Sequence, residues 1–551
     1  MNSNNTKKSN FLVQGTILAV ASIITRIIGL IYRIPLTGII GDVGNNYYGC
    51  AFDIYSMLLL ISSYSLPLAV SKMVSARVAK GEKKNAYRVF KGAFIFALIS
   101  GSIASLVLYF GAGFLTGTLL KTPYSIFALK VLAPTLLIVA VLGVMRGFFQ
   151  GLGTMMPSAV SQIIEQIVNA VVSVGAAYVL FSYGSKIGSV LGNEKNISAA
   201  YGAAGGTLGT GLGAFCALIF IFFLFSVYWK VYKKQMRRDR SSYTESYGNI
   251  FKIIIITIIP VLLSTTIYNI SSIIDQGIFK NIALLQGYSE NKIDIWWGVF
   301  SGKYKVLVNV PISIASALAA SCVPSLSAAF TVNETTAVRK QINVAIRFIM
   351  VVAFPSAIGM AVLASPILQL LFGDSSKTAA LMLQLGAISI IFYSLSTLSN
   401  GLLQGINRMR IPVRNAAIAL VLHILFLLIC MYQLHLNIYS VVYANAFFAL
   451  VMCILNGYAL KKYSGYKQEL NRTFFIPASS AIVMGIVVWV VYHIFHLILK
   501  SNAIATLISV CLGAITYLVA LLLLKGLSED ELNRFPKGHL LVRFAKKLHL
   551  M

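Results

Sequence analysis

Long apolar runs broken by short polar stretches dominate the chain. Fourteen segments reach the ~20 mostly apolar residues that a bilayer-crossing helix needs: 11–40, 46–79, 88–118, 124–150, 156–183, 199–229, 250–280, 297–330, 338–372, 378–405, 412–433, 437–460, 473–499 and 501–525. Pro67, Pro134, Pro260, Pro311, Pro324, Pro355 and Pro366 interrupt several of them. A proline inside a membrane helix frees a backbone carbonyl that neighbours or water must satisfy. The pattern predicts an all-α polytopic membrane protein of fourteen helices, bent around a cavity. The apolar run after the polar start is long enough to span, so it reads as a retained first helix.

Composition narrows the class. Of 551 residues, 58% are hydrophobic and 11% are charged, against ~25% charged in soluble domains. That excludes an ordinary cytosolic enzyme. The net charge of +29 would suggest nucleic acid in a soluble protein. Here the loops explain it. Of the 45 Lys and Arg, 29 fall in alternate loops and the two termini, 7 in the remaining loops and 9 inside spans. Such a split orients a membrane protein: the basic side is the cytoplasm, and both termini lie inside. Nucleic acid is not an expected partner. The six cysteines are scattered without metal or disulfide spacing, and no P-loop or catalytic triad is present.

An internal repeat follows. RGFFQGLGTMMP (146–157) and NGLLQGINRMRIP (400–412) match at Gly147/Gly401, Gln150/Gln404, Gly151/Gly405 and Met155/Met409, an offset of 254. Ala69-x-Ser71 and Ala319-x-Ser321 match at 250. Six helices separate the copies, so the repeat keeps its orientation, which is a transporter plan. The expected organisation is an N-lobe over 1–230, a linker loop at 231–249, a C-lobe over 250–460, two further helices over 461–525 and a basic tail over 526–551. The tail is partly amphipathic and suits the inner leaflet.

Ions inside the membrane are expensive and therefore informative. The cations are Arg26, Arg33, Lys72, Arg77, Lys130, Arg146, Lys303, Lys305 and Arg347; the acids are Asp53, Glu165 and Asp275. Arg77, Arg146 and Arg347 sit near cytoplasmic span ends, where snorkelling is the simplest reading. Arg26 and Arg33 sit mid-span. Seven residues return a helix to within ~20° of the same face, and Gly29 lies on that face. Two guanidiniums stacked this way suit a diphosphate. Lys303 and Lys305 could add point charges, or pair with Asp53 and Asp275. Asp275 reads as a partner for Lys303 or Lys305, or as a coupling-ion ligand or proton carrier. Glu165, beside Gln162, Gln166 and Asn169, faces a cavity or a helix neighbour.

The stretches TRIIGLIYRIPLTGIIGDVGNNYYG (25–49), PLAVSKMVSARVAKGE (67–82), FFQGLGTMMP (148–157) and LLQGINRMRIP (402–412) resemble the multidrug/oligosaccharidyl-lipid/polysaccharide exporter superfamily. Within it, the chain is most similar to the group of lipid II flippases and stage V sporulation protein B relatives. The resemblance implies a fold of two six-helix lobes plus two C-terminal helices. It implies movement of a lipid-linked saccharide across a bacterial plasma membrane by alternating access, in concert with cell-wall synthesis. It places the family's first-helix basic motif on Arg26, Gly29 and Arg33, with the second Arg one residue later than in the best-known flippases. It places the helix-8 basic residue on Lys305, and the helix-7 acid of a sodium site on Asp275. That site's helix-11 acid has no counterpart in 412–433, and the second-helix Arg of some relatives is absent from 46–71. The expected substrate is lipid II, with another polyprenyl-linked oligosaccharide (capsule or teichoic acid) as the alternative. A cation-coupled multidrug antiporter should present acids rather than bases. No cofactor is expected; the membrane potential, Na+ or H+ are the candidate energy sources. A monomer is the simplest state.

Overall fold

A computed structural model describes residues 3–60, 66–239, 241, 244–331 and 334–526. The basic tail from 527 onward lies outside the described residues, and so does 61–65 of the expected second span. All regular elements among the described residues are helical. Ten are long and apolar enough to cross a membrane, or eleven if a pair bent by 42° counts as one span. These correspond to the first, third to sixth and ninth to fourteenth expected spans. The second contains residues outside the description, and several side chains of the seventh and eighth are not described, so fourteen is not reached among the described residues.

The chain forms two compact units, 1–302 and 303–551. The first holds α1 (Ser3–Leu59), α2 (Leu66–Ala79), α3 (Lys83–Gly113), α4 (Ile126–Gly151), α5 (Met156–Leu191), α6 (Glu194–Arg237), α7 (Tyr247–Leu285) and α8 (Glu290–Val299). Its apolar core runs through α2, α3, α4 and α6, with Phe90, Phe148 and Phe225 packed ring against ring. The lobe boundary expected in the 231–249 linker is not where the contacts divide. Compactness places the division at Gly302, so α7 and α8 go with the first unit. Hydrogen bonds explain the grouping: Ser272 and Lys280 of α7 donate to Asp53 and Asn46 of α1.

The linker itself is pinned. Arg77 donates to both carboxylate oxygens of Glu245 (3.0 and 2.7 Å), Arg88 donates to the Glu245 carbonyl, and Asn85 accepts its N–H.

The second unit holds α9 (Lys305–Thr331), α10 (Thr335–Val362), α11 (Ala364–Phe372), α12 (Lys377–Gly386), α13 (Ile388–Gly405), α14 (Arg410–Tyr432), α15 (Tyr439–Ser464), α16 (Ile476–Leu499) and α17 (Asn502–Leu523). The last two, outside the repeat, dock on α10 and α11: Tyr517 donates to the Val351 carbonyl and Asn502 to that of Pro366.

The repeated glycines do the same work in both units. A Cβ on Gly147 would lie 2.6 Å from the Pro67 carbonyl oxygen, and one on Gly151 2.6 Å from Val74 Cβ. In the second unit Gly401 meets Ala319 at 2.7 Å and Gly405 meets Leu326 at 3.0 Å. Small residues let α4 close on α2, and α13 on α9, at backbone distance.

Candidate functional site

The site is built on α1, which is one helix by length and two by geometry. Gly41 breaks it at φ 66° and ψ −177°, a conformation essentially reserved for glycine. The break frees backbone carbonyls in a span, and Asn45 answers them. Its Nδ2 donates to the Gly41 carbonyl at 2.8 Å, while its Oδ1 accepts from Thr37 at 3.3 Å. The polar GDVGNNYYG run is thus the repair of a helix break. It also brings the ring of Tyr48 back towards the first half of α1.

That return sets the environment of Arg33. Its guanidinium lies 4.0 Å from the Tyr48 ring centroid. Tyr48 is buried, stacked on Phe52, and backed by Gly206 of α6, whose Cβ would sit 3.2 Å from the ring. Among the described residues Arg33 has no carboxylate partner. A guanidinium stacked face-on keeps its in-plane N–H fork for a planar or tetrahedral anion.

Gly29 lies one turn before Arg33, against α5, where a Cβ would meet Gln166 Nε2 at 3.2 Å. Beside it the Tyr32 hydroxyl accepts from Asn169 at 3.4 Å. The polar stripe of α5 therefore packs on the Gly29 face of α1. Arg26, two turns before Arg33, is exposed.

The remaining candidates divide. Glu165 of the same stripe pairs with Arg146 of α4 at 2.7 Å, with Ser161 accepting from the same guanidinium. Asp53 accepts from Ser272 at 2.7 Å, and Asp275 is 1% exposed within α7. In the second unit, the backbone widens into a π-helical turn that ends at Tyr304. There Lys303 is buried and pairs with Asp374, in the α11–α12 loop, at 2.5 Å. Burial would raise the Asp374 carboxyl, but hydrogen bonds from Lys303 and the Ser376 N–H hold it below the ordinary value. Lys305, the first residue of α9, is half-buried.

One expectation is corrected. Arg77, Arg146 and Arg347 do not simply snorkel: each reaches a carboxylate, respectively Glu245, Glu165 and Glu469. Trp297, at the start of an expected span, is fully buried and stacked on Phe279.

Sequence reasoning also missed a cluster. Lys280, counted as a loop cation, is 1% exposed and donates to Asn46 at 2.8 Å and Asp294 at 2.9 Å. The adjacent pair Asn45–Asn46 was the available signal.

A cationic first helix, a glycine-closed repeat and two extra C-terminal helices define the chain's kind. The family model described as "Polysaccharide biosynthesis protein" matches residues 12–330. The chain belongs to that family. The model named MatE matches residues 306–429. Within the multidrug/oligosaccharidyl-lipid/polysaccharide exporters, the chain falls in the MurJ-like group.

Two relatives from Bacillus subtilis (strain 168) match nearly end to end. "Lipid II flippase MurJ" is 25% identical, covering 93% of this chain and 95% of its own. "Stage V sporulation protein B" is 22% identical, covering 97% and 100%. Among solved structures, a lipid II flippase MurJ in an inward closed conformation matches with a TM-score of 0.64 at 14% identity, covering 92% of this chain and 98% of that one. An inward-facing multidrug resistance MATE family transporter matches with a TM-score of 0.61 at 16% identity, covering 81% and 96%. The family and these folds agree with a multi-pass membrane protein.

Proposed function

We propose that the protein is a flippase that carries an undecaprenyl-diphosphate-linked saccharide, foremost lipid II, from the inner to the outer leaflet of a bacterial plasma membrane. Both termini lie in the cytoplasm in this reading, as the basic loops require. The observation that carries it is Arg33, a mid-span cation held on an aromatic ring instead of a carboxylate. A cation so placed retains charge for a ligand, and Arg26 lies two turns away on the same helix.

The diphosphate is bound by Arg26 and Arg33, with Gly29 between them where α1 packs against Gln166 of α5. Lys305 stays a candidate on the family resemblance alone, and Lys303 pairs with Asp374. The saccharide head occupies the hydrated side of α1 and the lipid tail remains in the bilayer. Alternating access then delivers the head outside. The membrane potential could bias the return of a cationic empty site, at about 2.3 kcal/mol per charge per 100 mV. Asp275 is the candidate for Na+ or H+ coupling. Cell-wall synthesis enzymes would supply and consume the cargo, and one chain suffices for the cycle.

The Stage V sporulation protein B relative keeps a second reading open, in which the cargo is another polyprenyl-linked oligosaccharide. The test is reconstitution in liposomes with fluorescent lipid II, undecaprenyl-diphosphate oligosaccharide and a phospholipid. Lipid II should flip fastest, and Arg26→Ala/Arg33→Ala should lose that flipping. Full translocation by the double variant would end the clamp reading; preference for the oligosaccharide would move the assignment to the second cargo.

A further inference from the structure

The repeat assigns α7 and α8 to the second lobe, whereas their contacts bind them to the first unit. A helix pair claimed by one half of a repeat and packed on the other marks a seam that a two-state transporter has to open.

The seam's chemistry agrees. Ser272 donates to Asp53, Ser301 to the Asn45 carbonyl (3.2 Å) and Thr37 to the Gly302 carbonyl (3.4 Å). Hydrogen bonds exchange with water at little net cost, unlike the apolar packing of α2, α3 and α4. The backbones also meet unusually closely. A Cβ on Gly298 would lie 1.7 Å from the Asp42 carbonyl oxygen, and one on Gly302 2.5 Å from the Asn45 side chain. At the centre, one ammonium bridges three helices: Lys280 of α7 donates to Asn46 of α1 and pairs with Asp294 of α8. Lys280 lies five residues from the end of α7, far from the basic linker where that helix begins.

We propose that Lys280, Asn46 and Asp294 form a latch. It holds α7 and α8 shut on α1 at the end of the first unit remote from the basic loops, and it parts in one half of the cycle. The inference rests on the transport reading but concerns residues that reading does not use. While the seam is shut the Lys280 charge is sealed from water, so the ion pair biases the protein towards the closed state.

The test uses the full chain in proteoliposomes, with the six native cysteines replaced by serine and Ser301→Cys as reporter. Ser301 is 8% exposed in the seam. A water-soluble maleimide is added to both faces. Lys280→Met leaves Asp294 and Asn46 without their shared donor and should speed labelling about tenfold. Adding Asp294→Asn removes the orphaned charge without restoring the pair, so labelling should stay severalfold faster than in the parent. If Lys280→Met fails to fold, Asn46→Ala takes its place, with an expected gain of about threefold. Labelling unchanged in the single variant, or back at the parent rate in the double, overturns the latch. The readout needs no substrate. A protein that labels as expected but flips no lipid refutes the proposed function and leaves the latch intact.

Discussion

At Arg33 a mid-span guanidinium lies on the ring of Tyr48, while Arg77, Arg146 and Arg347 each hold a carboxylate. Both arrangements keep a cation in an apolar chain, but they leave different things behind. A carboxylate satisfies the charge and joins two segments, as Glu245 joins the linker to α2. An aromatic face lowers the cost of burial without consuming the charge. Cations on carboxylates therefore hold the fold together, and the cation on a ring remains for an anionic ligand.

The sharpest way to break this contrast is Arg33→Ala. It should lower lipid II flipping about 100-fold, the ~2–3 kcal/mol of a lost charge-assisted contact, with little change in thermal stability. A stability loss as large as that of a variant that breaks a carboxylate pair would erase the distinction. The converse is Glu245→Ala, which leaves Arg77 buried without its partner. With the two side chains 17% and 6% exposed, it should cost about 2–3 kcal/mol of stability. Flipping per folded molecule should hold, as read by differential scanning fluorimetry alongside the liposome assay.

Gly29→Ala is a smaller perturbation. The new methyl meets the flexible end of Gln166, so flipping should fall no more than about threefold; Gly29→Leu should fall much further by separating α1 from α5.

The smallest effect concerns pH. Burial would raise the Glu469 carboxyl, but hydrogen bonds from Asn343 and Arg347 hold it below the ordinary glutamate value. A depressed carboxyl contributes stability above its unfolded pKa and loses it as pH falls through the folded one. The melting temperature should thus decline modestly below about pH 4.3, and Glu469→Gln should flatten that part of the profile.

Some of this was readable in the residues themselves. Period and length of apolar runs predict a helical membrane protein, because lipid offers backbone groups no other partners. The spacing of Arg26, Gly29 and Arg33 predicts one face, because helix geometry is local. The Gly147/Gly401 and Gly151/Gly405 matches predict equivalent helix contacts, and both units place those glycines against a neighbouring helix.

The count of nine intramembrane cations against three acids was misleading. It left Glu245, Asp374 and Glu469 in the loops, yet each reaches one of the nine cations. Likewise Lys280 has the sequence context of a loop residue and the environment of a core one.

By itself the sequence determined the class, the helices and the face that carries the arginines, since each depends on residues within a few turns of one another. Only the tertiary structure decided which charges are spent and which are kept. Partners 71 residues apart for Lys303 and 168 for Arg77 meet through packing, and no local pattern records that meeting. The same holds for Tyr48: its ring lies against Arg33 because Gly41 breaks α1 between them.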